Sequence, residues 1–222
     1  MLFRFFIVGL AACAAFGPGQ VQAQNPRVQI PFELHDKSLK LTEWAKQPML
    51  LNPVALSFDY QGRLFVVETA RRGTVDIDIR AHKEWVIDDL SNQNIPQLRK
   101  MFRSKMAPEL SEQNKSWLQD RNQDGSHDWR DLMAVKERIH LLQDTDDDGK
   151  ADVAKVFAEG FNQEVNGVMA GVLPYRGDVF ATIYPDVWKL NDTDHDGYAD
   201  KQEVFIHGFG VHAPCDGHDL HG

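Results

Sequence analysis

The stretch RIHLLQDTDDDGKADVAKVFAEGF, which starts at Arg138, returns 48 residues later as DVWKLNDTDHDGYADKQEVFIHGF from Asp186. Leu142 answers Leu190, Val156-Phe157 answers Val204-Phe205, and Gly160-Phe161 answers Gly208-Phe209. Such a repeat limits the fold more than composition does, because each copy must be one supersecondary unit that buries its apolar face against a neighbour. Both copies share one layout: alternating apolar residues, an acidic loop, then a second short apolar run closed by Gly-Phe. Alternation at period 2 predicts strands. A period in the forties with strand, loop and strand in each unit suggests propeller blades.

Two further segments read as hairpins. GVMAGVLPYRGDVFATI lies between the repeat copies and turns at Pro-Tyr-Arg-Gly; PVALSFDYQGRLFVVET, from Pro53 to Thr69, turns at Tyr60-Gln61-Gly62. Between Ala81 and Trp117 the period changes, with Ile95, Leu98, Met101 and Phe102 at helical spacing and Lys and Arg on the other positions. This predicts a helical insertion over about 82–117, packed over an otherwise all-β framework.

The loops carry the clearest chemistry. In DRNQDGSHD and in the two repeat loops, oxygen side chains stand at positions 1, 3, 5 and 9, with Gly at position 6. These are Asp120, Asn122, Asp124 and Asp128; Asp144, Asp146, Asp148 and Asp152; and Asp192, Asp194, Asp196 and Asp200. Calcium takes six to eight hard oxygen ligands from a tightly turned loop, and position 7 (Ser126, Lys150, Tyr198) would add a backbone carbonyl. An acidic turn exposed to water and without metal is the competing description. Position 12, where a calmodulin-like loop has a bidentate Glu, holds Glu203 in the third loop but Lys155 in the second and Asp131 in the first. The flanks DVWKL and EVFIHGF alternate like strands, so a helix–loop–helix sensor is not expected. Calcium would instead cancel clustered carboxylates and pin two strands, and its removal would loosen the loops by like-charge repulsion.

Residues 1–23 read as a signal peptide: Arg4, the apolar run Phe5 to Phe16, and Val21-Gln22-Ala23 before a cut at Gln24. The mature chain, 24–222, is expected to be exported and periplasmic or envelope-associated. Cys13 leaves with the leader and Cys215 stands alone, so no internal disulfide is expected. Once Arg4 is removed, 23 basic side chains face 33 acidic ones, and twelve of those acids lie in the three loops. That balance argues against nucleic acid or an anionic membrane surface as partner.

Catalytic signatures are sparse. There is no serine nucleophile elbow, phosphate loop, zinc-type Cys/His cluster or CxxCH. The tail GVHAPCDGHDLHG places His212, His218 and His221 beside Asp216 and Asp219. This grouping is compatible with a carboxylate-oriented general base, with weak metal ligation and with a surface loop.

Taken in order, LSFDYQGRLFVVET, RIHLLQDTDDDGKADVAKVFAEGFN, GVLPYRGDVFATIYPDVWKLNDTDHDGYAD and GFGVHAPCDGHDLHG resemble the N-terminal region of a membrane-bound dehydrogenase family described from planctomycetes and verrucomicrobia. That family comprises PVC-type proteins with a haem-binding CxxCH, and is similar in turn to the soluble quinoprotein glucose and sorbosone dehydrogenases. The resemblance covers Pro53 to Gly222. It implies a six-bladed β-propeller of the TolB-like or quinoprotein glucose dehydrogenase-like kind, of which this chain would hold a partial set of blades. It also implies oxidation of a sugar or alcohol, with pyrroloquinoline quinone as hydride acceptor beside calcium, and a c-type cytochrome domain carrying haem c elsewhere. His218 is the residue that the resemblance points to as base, with His221 second; aligning on the following glycine would instead place Asp219 there. Glu68, Arg71 and Arg72 are weak candidates for lining the cofactor mouth, against their reading as a solvated charged loop.

Six blades of about 48 residues need roughly 290 residues, so the chain reads as the N-terminal part of a propeller, truncated at its C-terminus and prone to self-association through open edges. Two functions follow: a dehydrogenase as above, or a non-catalytic, calcium-stabilised propeller that binds glycan or protein.

Overall fold

A computed structural model describes residues 35–39 and 41–213, and the backbone of Phe5–Phe6, which pairs in parallel with Leu41–Thr42. Eight longer strands follow: β1 (Pro53–Phe58), β2 (Leu64–Glu68), β3 (Glu137–Gln143), β4 (Val153–Gly160), β5 (Met169–Tyr175), β6 (Asp178–Ile183), β7 (Asp186–Asn191) and β8 (Lys201–His207). They form two four-stranded sheets, ordered β1-β2-β3-β4 and β8-β7-β6-β5, and every neighbouring pair is antiparallel.

Local chemistry explains the hairpins. Arg176 and Gly177 both hold positive φ, 52° and 89°, the pairing that a two-residue turn needs to match the twist of its strands. At the β1–β2 turn, Asp59 Oδ1 accepts from the backbone N–H groups of Gln61 and Arg63, both at 2.9 Å. Each repeat copy supplies the last two strands of one sheet, β3–β4 or β7–β8.

The sheets pack face to face through β5, which lies against β1 and β2. Phe65, Val67, Ile139, Leu141 and Phe157 of the first sheet meet Met169, Val179, Ala181, Ile183 and Leu190 of the second in one core. The opposite face of the first sheet, at Leu64, Val66 and Leu142, is covered by Trp44, Ala45 and Leu50. All five residues of β2 are therefore buried, which accounts for its unbroken apolar run.

Between β2 and β3 lie three helices, α1 (Val86–Leu90), α2 (Ile95–Lys105) and α3 (Ser111–Asn114). Asn94 caps α2 by accepting from Gln97 N–H at 3.0 Å. Ile95, Leu98, Met101 and Phe102 form its buried face and join Trp85, Leu118, Leu132 and Val165 in a second core. Arg99 and Arg103 reach the buried Glu164 at 3.1 and 2.7 Å, tying α2 to the loop before β5.

The all-β, six-bladed propeller is corrected here. The described residues make two four-stranded antiparallel sheets plus helices, a mixed α/β arrangement with no closed ring of blades. Among the described residues, the two repeat copies each supply one hairpin to one of the two sheets, and no further sheet continues them into a ring. Residues 69–136 spend their apolar groups on a helical core rather than on further strands. Among the described residues, no helix is long and apolar enough to cross a membrane.

Candidate metal centre

The three acidic loops share a backbone. Position 4 has positive φ in each (Gln123 60°, Asp147 60°, His195 64°), as does the glycine at position 6 (84°, 88° and 91°). The glycine was legible as a sharp-turn residue; the positive φ at position 4 was not, because Gln, Asp and His do not announce it. The side chain at position 1 holds the turn in all three: Asp120, Asp144 and Asp192 accept from the N–H of Gly125, Gly149 and Gly197 at 2.9, 2.9 and 3.0 Å.

From this shared frame the loops diverge. Asp144, Asp146 and Asp148 bring one carboxylate oxygen each within 4.8 Å of one another, and so do Asp192, Asp194 and Asp196. Among the described residues these are the triads that converge in this way. Asp144 Oδ1 is buried with no hydrogen-bond partner. A buried carboxylate oxygen without a donor is costly, and three anionic oxygens so close together repel. A divalent cation would relieve both, so the residues fit calcium, with backbone oxygens and water completing the shell.

Positions 9 and 12 do other work. Asp152 accepts from the backbone N–H and the hydroxyl of Thr145, and Asp200 does the same for Thr193. Those threonine hydroxyls are the main cause that holds both carboxyls below the usual range. The Asp-Thr pair that opens both repeat loops was the available signal for this brace. Glu203 lies exposed on β8 opposite Lys189, outside the triad.

In the first loop, the fully buried Asp128 caps the turn at 129–133 and pairs with Arg130, whose other nitrogen lies 3.4 Å from Asp124. Asp131 caps the backbone of Arg121, Asn122 and Asp128. Arginine thus pairs with two acids of the first loop, and the loop's carboxylates Asp120, Asp124 and Asp128 form no converging carboxylate triad like those of the repeat loops. Asp128 is held at a pKa of about 2, chiefly by Arg130 against the opposing effect of burial. Because this lies below the ordinary 3.8, the stabilisation is complete above that pH and is lost as pH falls toward 2. Asp128→Asn should lower stability at neutral pH and flatten the acid-unfolding limb between about pH 4 and 2; a limb parallel to that of the parent chain would contradict the pair.

The loops also dock on neighbouring layers. Ala199 N–H in the third loop donates to Phe157 O of β4 at 2.7 Å, and Lys155 Nζ reaches Asp196 O at 3.2 Å, so this loop of the second sheet is seated on the first. The second loop repeats the arrangement one layer earlier, with Ala151 N–H on Trp44 O at 2.8 Å.

The candidates for a cofactor mouth are used structurally. Arg71 is fully buried, and its guanidinium donates to the carbonyls of Leu132, Val135, Gln163 and Asn166. Glu68 accepts from the N–H groups of Leu51 and Asn52 and lies 2.8 Å from His140 Nε2. Burial pushes the Glu68 carboxyl up, but His140 and these backbone donors outweigh it and leave it below its usual value. Arg72 is exposed, with its backbone N–H on Thr69 Oγ1 at 3.4 Å. The polar atoms of Glu68 and Arg71 are thus engaged by protein partners, which does not fit a quinone-binding role. His218 and His221 lie outside the described residues.

Sequence reasoning missed Glu137. Its carboxylate accepts from Thr69 Oγ1 and from the N–H groups of Ala70, Arg71 and Met169, joining the end of β2 to the start of β5. A glutamate opening a strand looks like a surface acid, and no local signal marks it as buried.

No curated protein and no solved structure matches this chain. A family model described as a domain of unknown function, DUF7133, matches residues 32–219. That match spans most of the chain, and the protein belongs to the DUF7133 family.

Proposed function

We propose that this chain is a calcium-binding domain of an exported protein, in which two ions brace the repeat loops and hold adjacent layers together. The observation that carries the reading is the pair of equivalent carboxylate triads, one of which contains a buried oxygen without a partner. Asp144, Asp146 and Asp148 would hold one ion; Asp192, Asp194 and Asp196 would hold the other. The strand flanks and the docking of each loop on a neighbouring layer favour a bracing role over a sensing one, because a sensor moves helices and none flank these loops. Export is supported by the leader-like residues 1–23. The oxidation of a sugar or alcohol that the resemblance implies has its candidate bases, His218 and His221, outside the described residues, and no observed geometry adds to it.

Calorimetric titration of the metal-free chain with calcium tests the reading. Two sites are expected, with dissociation constants on the order of 0.1 mM, as for exposed extracellular sites. Asp146→Asn and Asp194→Asn should each remove one. A third equivalent surviving both substitutions would bring in the first loop, against the assignment of its charge to Arg130. An absence of binding heat and of any calcium-dependent change in stability would sink the proposal.

A further inference from the structure

The repeat gives both sheets the same kind of packing face, and one of the two is left uncovered. In the first copy Ile139, Leu141, Phe157 and Phe161 are buried where the second sheet packs on the first. Their counterparts 48 residues on are Val187, Lys189, Phe205 and Phe209. Phe157 and Phe205 also share a place in the ladder, since each is the residue skipped at a bulge of its strand. Phe157 is 3% exposed, whereas Phe205 is 56% exposed.

Strand register fixes which way this second face looks. Val179, Ala181 and Ile183 of β6 enter the core between the sheets, so the alternate residues of β6, Phe180 among them, look away from it. Residues directly opposite across a ladder share a face. Leu173 and Lys189 stand opposite Phe180, and Glu203 opposite Lys189; Tyr175, Asn191 and Lys201 align with Asp178 in the same way, and Val187 with Thr182. The Phe205 ring meets that of Phe180 edge-on at 5.1 Å, which puts it on the same side. Leu173, 56% exposed, and Tyr175, 53% exposed, therefore join Phe180, Val187 and Phe205 in one outward apolar face. Contiguous apolar surface of this kind marks an interaction site.

Topology and charge choose the occupant. The outward face of the first sheet is covered at Leu64, Val66 and Leu142 by Trp44, Ala45 and Leu50, and is exposed along its edge strand β1, at Leu56. Among the described residues the broad open face is thus that of the second sheet, and two copies cover it fully by joining these faces about a two-fold axis. The chain as a whole carries a charge of -9, which opposes contact between copies over most of the surface. On this face, however, Lys189 pairs with Asp178 at 3.2 Å, Lys201 accompanies Glu203 on β8, and the Arg176 guanidinium lies 5.1 Å from the centre of the Tyr175 ring. The excess of acid therefore stops at its edge, and a face carrying both signs can meet its own copy.

We propose that the outward face of the second sheet is the interface of a two-fold dimer with a second copy of this chain. It does not rest on the calcium reading. Four strands about 4.8 Å apart and about 20 Å long present on the order of 400 Å² in projection from each copy. That is the low end for a specific interface, so a dissociation constant on the order of 10 µM is expected.

Sedimentation velocity of the full chain in calcium, from about 1 µM to about 0.3 mM, brackets that constant. Monomer and dimer should interchange, with no larger species. Leu173→Gln and Phe205→Gln should each weaken the dimer about ten-fold. Both side chains are more than half exposed, so the variants should keep the Tm of the parent chain. Leu56→Gln should leave the dimer unchanged. A chain that stays monomeric to about 0.3 mM would overturn the proposal and leave the face to a different protein. Growth beyond two copies, or association lost in Leu56→Gln and kept in Phe205→Gln, would overturn it in favour of head-to-tail contact through β1.

Discussion

Replacing Arg71 with methionine is expected to destabilise the chain by about 3–5 kcal/mol, the usual cost of removing one partner from a buried charged network. For a chain of this size that corresponds to a fall in Tm of roughly 10 °C. The guanidinium serves four carbonyls, at 2.6 Å from Leu132, 2.9 Å from Val135, 2.9 Å from Asn166 and 3.4 Å from Gln163. Its own backbone N–H meets Glu137 at 2.9 Å. Methionine fills much of the volume but donates nothing, so the carbonyls lose their donor and Glu137 loses a compensating charge. Burial already pushes the Glu137 carboxyl above its ordinary 4.5, and Arg71 is one of the groups opposing that rise. In the variant the carboxyl should rise further. A raised carboxyl destabilises the folded state only where it must ionise, so this part of the deficit should be larger at pH 7 than at pH 4.5. Arg71→Lys should recover part of the loss, since it restores charge but not the planar fork. Urea unfolding at pH 7 and pH 4.5 measures all of this; a loss below 1 kcal/mol at both pH values would show that the carbonyls find other donors.

Saturating calcium should raise Tm by about 10–20 °C over chelator, roughly half of it from each of the two ions. A ligand at 100 times its dissociation constant stabilises by about 2.7 kcal/mol per site, and each kcal/mol moves Tm by about 2–4 °C at this chain length. The two ions should not act alike. The third loop belongs to the second sheet but rests on β4 through Ala199 and Lys155, so its ion bears on the contact between sheets. The second loop rests on Trp44, so its ion bears on the segment covering the outer face of the first sheet. Asp194→Asn should therefore speed hydrogen exchange across β4 and β7–β8, and Asp146→Asn across residues 44–51 and β3. Identical melting in calcium and chelator would reject a bracing role even if calcium binds.

Much of the local structure was legible. Alternation placed the strands, Asp59 to Gly62 and Arg176-Gly177 supplied hairpin turns, and Ile95, Leu98, Met101 and Phe102 marked α2 by their spacing. The triads were legible as well, since Asp at positions 1, 3 and 5 around a glycine turn converges through local geometry alone. These features depend on residues within a few positions of one another, and there a sequence is most informative.

What the chain's own letters determined is therefore the set of strands, turns and acidic loops, because dihedral preference, side-chain period and the reach of a short loop are local properties. The tertiary structure decided the rest. Two sheets form rather than a ring of blades, because residues 69–136 bury their apolar groups around helices instead of pairing as strands. Arg71 and Glu137 become buried links because distant backbone, at 132–135 and 163–169, closes over them. The first loop keeps the backbone of the two repeat loops but balances its charge with Arg130. In each case the outcome depends on which chain segments share the interior, and burial sets whether a charge is solvated, paired or left to attract an ion.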